Sequence, residues 1–143
     1  MRNKTNTTKQ QARAFFKKTK SISSPAFPKE KIVFNSKGLS HLFYKGSHKV
    51  SSRPDKETQV RVSLLPRAVK LLKLMPLSQE ENAFTVEGKK VRYWAFEAVV
   101  DNHRIKVIVR QVGTGKKHFW SVIPAWRKAR GQVVNSRSDL RRH

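Results

Sequence analysis

Cysteine is absent from this chain of 143 residues. That excludes disulfides, thiolate nucleophiles and Cys-based zinc sites, and it leaves the redox compartment unread. Acids are scarce: nine Asp or Glu are spread thinly, so no carboxylate pair stands out and no His or acidic cluster has metal-ligand spacing. Glycosidase, two-metal nuclease and aspartyl chemistry gain no support, and neither a metal nor a cofactor is expected. No apolar run approaches the roughly 18 to 20 residues that cross a bilayer. A basic amphipathic helix is only weakly hinted at near the N-terminus, and no membrane partner is expected.

Positive charge is what the chain has in excess. The formal charge is +23 and the pI about 11.3, so long-range attraction and counterion release draw it to a polyanion, with nucleic acid first. Apolar residues make up 37% of the chain, enough for a modest core with unpacked ends. Residues 1–29 carry eight Lys or Arg and no acid, and read as a basic arm that stays disordered until it meets polyanion. The same composition also describes a mitochondrial transit peptide. With no clear signal peptide, the cytoplasm is the expected compartment, and a monomer the expected state. Residues 30–101 balance thirteen Lys or Arg against eight acids, whereas residues 102–143 carry eleven against one, Asp139.

Pro25 and Pro28 place the expected domain boundary, since proline forbids a continuous helix there. Ile32, Val33 and Phe34 read as a short strand or extended entry, and Asn35 or Ser36 caps a helix through Leu39, Leu42 and Phe43 that Gly46 stops. Residues 45–54, including His48, look like an exposed loop. Asp55 is the expected cap of a helix through Val60 and Leu64, and Pro66 fits the first turn of a second helix that ends before Pro76. Residues 77–88 are polar and read as a connection with a turn at Gly88. VRYWAFEAVV and IKVIVRQV then form strands joined by a turn that starts Asp101-Asn102, and HFWSVIP follows the GTGKK turn as a third. The expected fold is α+β: N-terminal short helices followed by a twisted antiparallel β-meander of three to four strands, with the domain at 30–126 and a basic tail at 127–143. A fourth strand has to come from 31–34 or from the stretch after Pro124.

Candidate chemistry gathers at RQVGTGKKHFWS, residues 110–121. Ile105, Val107 and Val109 share one strand face, and Lys106, Ile108, Arg110 and Val112 the other. Arg110 inside an apolar strand must be exposed, paired, for instance with Glu97, or presented to a ligand. On the third strand His118, Trp120 and Val122 oppose Phe119, Ser121 and Ile123; the register across Gly113 to Lys117 stays open, because a one-residue slip exchanges the faces. His41 lies between Leu39 and Leu42 on the first expected helix, where a packed histidine is the commoner case. His103 and His143 read as a turn and a terminus. Any catalysis therefore runs on His, Lys, Arg and Ser or Tyr, an inventory that suits metal-independent RNA cleavage by 2′-OH attack.

The early His-bearing helix and the ending IKVIVRQVGTGKKHFWSVIP resemble the Barnase-EndoU-Colicin-RelE (BECR) superfamily, particularly its bacterial and prophage-associated, toxin-like nuclease domains, over about residues 31–126. The resemblance implies a small α+β metal-independent endoribonuclease that yields a 2′,3′-cyclic phosphate and is neutralised by an antitoxin or immunity protein. It implies a site of His41 from the helix with Arg110, Lys117, His118 and Ser121 from the last strands. On that reading His41 and His118 share the base and acid roles, and Arg110 and Lys117 grip the phosphate. Tyr44 and Trp120 are then candidate base-stacking residues, and Lys45, Lys106 and Lys116 further RNA contacts. The competing expectation is a non-catalytic, ribosome-associated RNA-binding protein, which pI and basic ends describe equally. A DNA-binding regulator would need a recognition helix, and RAVKLLKLM has no convincing partner geometry for one.

Overall fold

A computed structural model describes residues 4–45, 51–125 and 140–142. The first element corrects the expected disordered arm: α1 (Lys4–Thr19) is a helix, followed by β1 (Ser21–Ser23). Charge hides its apolar stripe. Thr8, Ala12 and Phe16 recur at helical spacing and are buried, and Phe16 meets the rings of Phe34 and Phe119 edge-on at 5.3 and 5.8 Å. The Pro25–Pro28 stretch is no boundary either. It is the connection from β1 to its antiparallel partner β2 (Lys31–Val33), and Phe27 within it packs on Trp94 and Phe96.

α2 (Ser36–Phe43) begins as expected at Asn35, whose side chain accepts from the Lys37 and Gly38 amides. The loop expected at 45–54 is partly ordered: β3 (Tyr44–Lys45) pairs with β4 (Ser51–Ser52), and Arg53 is buried. Gly46 and His48 lie outside the described residues. α3 (Asp55–Ser63) has Pro54, not Asp55, at its cap position, and Asp55 and Glu57 sit in the first turn, where the helix dipole favours them. α4 (Leu65–Leu74) carries Pro66 in its first turn and buries Leu65, Ala68, Leu71 and Leu72.

The expected meander is present as β6 (Lys89–Val100), β7 (His103–Val112) and β8 (His118–Pro124), but it is the middle of a larger, mostly antiparallel sheet. The strand order is β1-β2-β8-β7-β6-β5, with β5 (Glu80–Val86) formed by part of the stretch expected to be a connection. As an edge strand with little burial, β5 needs no apolar alternation, and its polar sequence concealed it. The turns around it obey local rules. Glu87-Gly88 and Asp101-Asn102 all take positive φ, as two-residue hairpin turns require. The segment at 31–34 does pair with the meander, through a single parallel step, Val33 with His118.

α1, α3 and α4 cover one sheet face over a core that includes Leu42, Phe96, Val107, Val109 and Phe119. On the opposite face Val91, Tyr93, Ala95, Ile108 and Trp120 pack with Leu140. Leu140, expected in the basic tail, therefore belongs to the fold, and its amide donates to Asn82 Oδ1 at 3.0 Å. Trp126, residues 127–139 and His143 lie outside the described residues. α2 sits on the outer edge of β8: a Cβ added at Gly38 would fall 2.0 Å from the Phe119 carbonyl oxygen. Only glycine permits that approach, and it brings His41, one turn further on, to the face opposite the main core.

Candidate functional site

A bulge decides the register left open above. Ile108 faces Ser121 and Val109 faces Phe119, so Trp120 is the extra residue on β8, and Arg110 stands directly across from His118. Arg110, His118 and Trp120 consequently share the face opposite the main core. The His41 ring stacks on Trp120 at 3.9 Å with 17° between planes, and the Arg110 guanidinium lies 3.8 Å from the ring centre. Two groups reach such distances only from opposite sides of one indole. Tyr93, the β6 neighbour of Arg110, meets Trp120 edge-on at 6.2 Å.

Each histidine is capped by an arginine. Arg53 donates from Nε to the His41 carbonyl oxygen at 2.8 Å and from Nη2 to His41 Nε2 at 3.0 Å. Guanidinium has only donors, so Nε2 accepts and the proton of a neutral His41 ring sits on Nδ1. Arg110 Nε likewise donates to His118 Nε2 at 3.0 Å, and the other side of the His118 ring is held by a hydrogen bond to the Lys116 backbone. Burial, then the charges of Arg110 and Lys37, push His118 down to about 3 against the pull of that backbone bond. It is therefore neutral at pH 7, and a weak base.

α3 supplies a second row. Glu57 Oε1 receives Arg53 Nη1 and Arg61 Nη2, each at 3.1 Å, and Arg61 Nη1 donates to Ser121 Oγ at 2.6 Å. Burial lowers Arg61 to about 10, with the charge of Arg53 adding and Glu57 opposing, and it lowers Arg53 and Arg110 too, with Glu57 and Tyr93 respectively opposing. Arginine remains charged at neutral pH throughout. Arg53 and Arg61 thus share the Glu57 carboxylate, in a cluster where His41, Arg53, Arg61, Arg110, Ser121 and Trp120 are all buried. Trp120 Nε1 is a further buried donor with no acceptor among the described residues. Guanidinium donors grouped in this way can bind an anion with several oxygens.

The structure brings together His41, Arg110, His118, Ser121 and Trp120, and separates the other expected site residues. Lys117 follows the strand alternation to the opposite side, where it pairs with Glu30 and lies over Phe27 and Trp94 at 5.0 and 5.2 Å. Lys106 is fully buried and paired with Glu80 Oε1 at 2.9 Å. Tyr44 packs against the helix-side core with the Lys9 ammonium 5.7 Å from its ring. Lys45 and Lys116 are exposed, Lys116 beside Ser21 and Lys31. Trp120 has both faces occupied and is no platform for a base. Glu97 pairs with Arg104, so it is not the partner of Arg110. Sequence reasoning missed Arg53, Glu57, Arg61 and Tyr93, although the four-residue spacing that puts Glu57 and Arg61 on one face of α3, with Arg53 just before its cap, was available as a signal.

Among the described residues no three His, Asp or Glu stand close enough to hold a metal ion, and no helix is long and apolar enough to cross a membrane. No protein-family model, curated protein or solved structure matches the chain.

Proposed function

We propose that the protein is a metal-independent endoribonuclease of the BECR kind, acting as a toxin-type RNase on RNA in the cytoplasm. The observation that carries this reading is the meeting of His41 and Arg110 on the two sides of Trp120, beside Arg53, Arg61 and Ser121. A phosphodiester offers this donor set several oxygens. Arg53 turning from His41 Nε2 to a phosphate oxygen uncovers the one histidine lone pair suited to act as base. His41 then takes the 2′-OH proton, the 2′-oxygen bonds to phosphorus, and the bond to the 5′-oxygen breaks. The leaving oxygen takes a proton from water, and His41 returns its own to solvent. Arg61 and Arg110 stabilise the added charge at phosphorus. His118, neutral and bonded on both sides, is a positioning residue that orients Arg110; the share in base and acid catalysis expected for it is withdrawn. An acidic antitoxin or immunity protein is the complementary partner for so cationic a chain.

The test is incubation of the purified protein with labelled RNA and its 2′-deoxy counterpart in EDTA. Cleavage of the RNA alone, leaving a 2′,3′-cyclic phosphate, is expected. RNA that survives every enzyme concentration, or a deoxy strand cut equally, overturns the reading. RNA bound but left whole would favour the non-catalytic alternative, which the near-complete burial of the cluster supports.

A further inference from the structure

Ion pairing divides the cations of this chain into two classes. Among the described residues Arg53, Arg61, Lys70, Arg104, Lys106 and Lys117 each have a carboxylate within ion-pair distance. Arg13, Lys17 and Lys20 have none, and all three are exposed. They are nonetheless placed together: with Asn35, Ser36 and Leu39 they line a groove of about 460 Å³ between α1 and the first half of α2. The groove is built rather than accidental. Lys20 takes a φ of 58°, ends α1 through its amide to the Phe16 carbonyl at 2.9 Å, and accepts the Phe34 amide at 2.8 Å, which ties the end of α1 to the entry of α2. Phe16 and Phe34 pack edge-on beneath it at 5.3 Å.

We infer that this groove is a phosphate track for single-stranded RNA, separate from the cleavage site and reached across α2. Extending the ribonuclease reading, it would hold the strand while the His41 site, on another side of the same helix, acts on it. Arg13 and Lys17 lie one helical turn apart, about 6 Å along the axis, which is the order of the phosphate spacing of an extended strand. Exposed Lys37 stands on α2 between the two sites, close enough to His118 to act on its charge. The three cations are drawn to phosphate, so the track should hold backbone irrespective of sequence.

The experiment uses the full chain and a short 2′-O-methyl oligonucleotide, which 2′-OH attack cannot cut, with affinity measured across a salt series. In the triple variant Arg13→Gln, Lys17→Gln, Lys20→Gln the slope of log affinity on log salt should flatten by about 2, three phosphate contacts at ~0.7 each. A control with the same charge change, Lys73→Gln, Lys89→Gln, Lys90→Gln, should keep the wild-type slope. Equal flattening in both, or none in the groove triple, overturns the track and leaves net charge as the cause. Cleavage at saturating RNA should be unchanged in the groove triple, and its loss there would merge the two sites into one. If wild type cuts nothing yet the groove triple alone flattens the slope, the ribonuclease reading falls and the track stands.

Discussion

Lys117 and His118 are neighbours in one turn, yet they belong to opposite faces of the sheet and to different physics. On the helix side Lys117 has its own carboxylate, Glu30, and two aromatic rings, so its charge is spent on the fold. On the far side Arg53 and Arg61 share one carboxylate, Glu57, while Arg110 lies over the Trp120 ring and donates to His118. A buried cation with a private partner serves structure, whereas the grouped guanidiniums on the far side are the ones that the proposed phosphate site draws on. Sequence proximity grouped Lys117 with the site, and pairing separates it.

The widest expected divergence between the two faces is catalytic. Arg110→Met should lower RNA cleavage about 100- to 1,000-fold, the usual loss on removing one donor that stabilises developing charge. Lys117→Met should leave the turnover rate near wild type and lower the urea midpoint instead. Equal catalytic losses in a cleavage time course would erase the distinction.

Next in size is the seat of the histidine. Gly38→Ala forces a Cβ into the Phe119 carbonyl and should cost about 1 to 3 kcal/mol in urea unfolding, with cleavage falling alongside because α2 carries His41. Unchanged stability would mean that α2 does not rest on β8.

A smaller effect follows from His118. Its folded pKa, about 3, lies below the ordinary 6.5, so the unfolded chain binds the extra proton first. The stabilising effect is complete above pH 6.5 and is lost as pH falls from there toward 3. At pH 5 roughly 2 kcal/mol of the stability held at pH 7 should be gone, and His118→Gln should remove that slope. A wild-type profile flat between pH 7 and 5 would show that His118 is not buried as described. Least of all, Lys116→Gln, exposed and off both faces, should change stability by less than about 0.5 kcal/mol in the same urea experiment.

Local signals were readable in advance: the Asn35 cap, Pro66 in the first turn of α4, and the Asp101-Asn102 hairpin each depend on residues a few positions apart. β5 was not, because the half-buried face of this edge strand is built from Glu80, Asn82 and Phe84, so it shows no apolar alternation. α1 was hidden for a different reason, since one stripe of Thr8, Ala12 and Phe16 is outweighed in composition by the lysines around it. Half of the site was legible, as His41 and the 110–121 stretch. The bulge at Trp120 and the reach of Arg53 and Arg61 are long-range outcomes, fixed by how α2 and α3 meet the edge of β8.

The base role proposed for His41 within the arginine cluster is tested most directly by comparing His41→Gln with wild type for RNA cleavage in EDTA and for RNA affinity at one salt concentration. Glutamine keeps an acceptor for Arg53. Cleavage should be lost while affinity stays close to wild type; cutting at the wild-type rate would show that His41 is not the base.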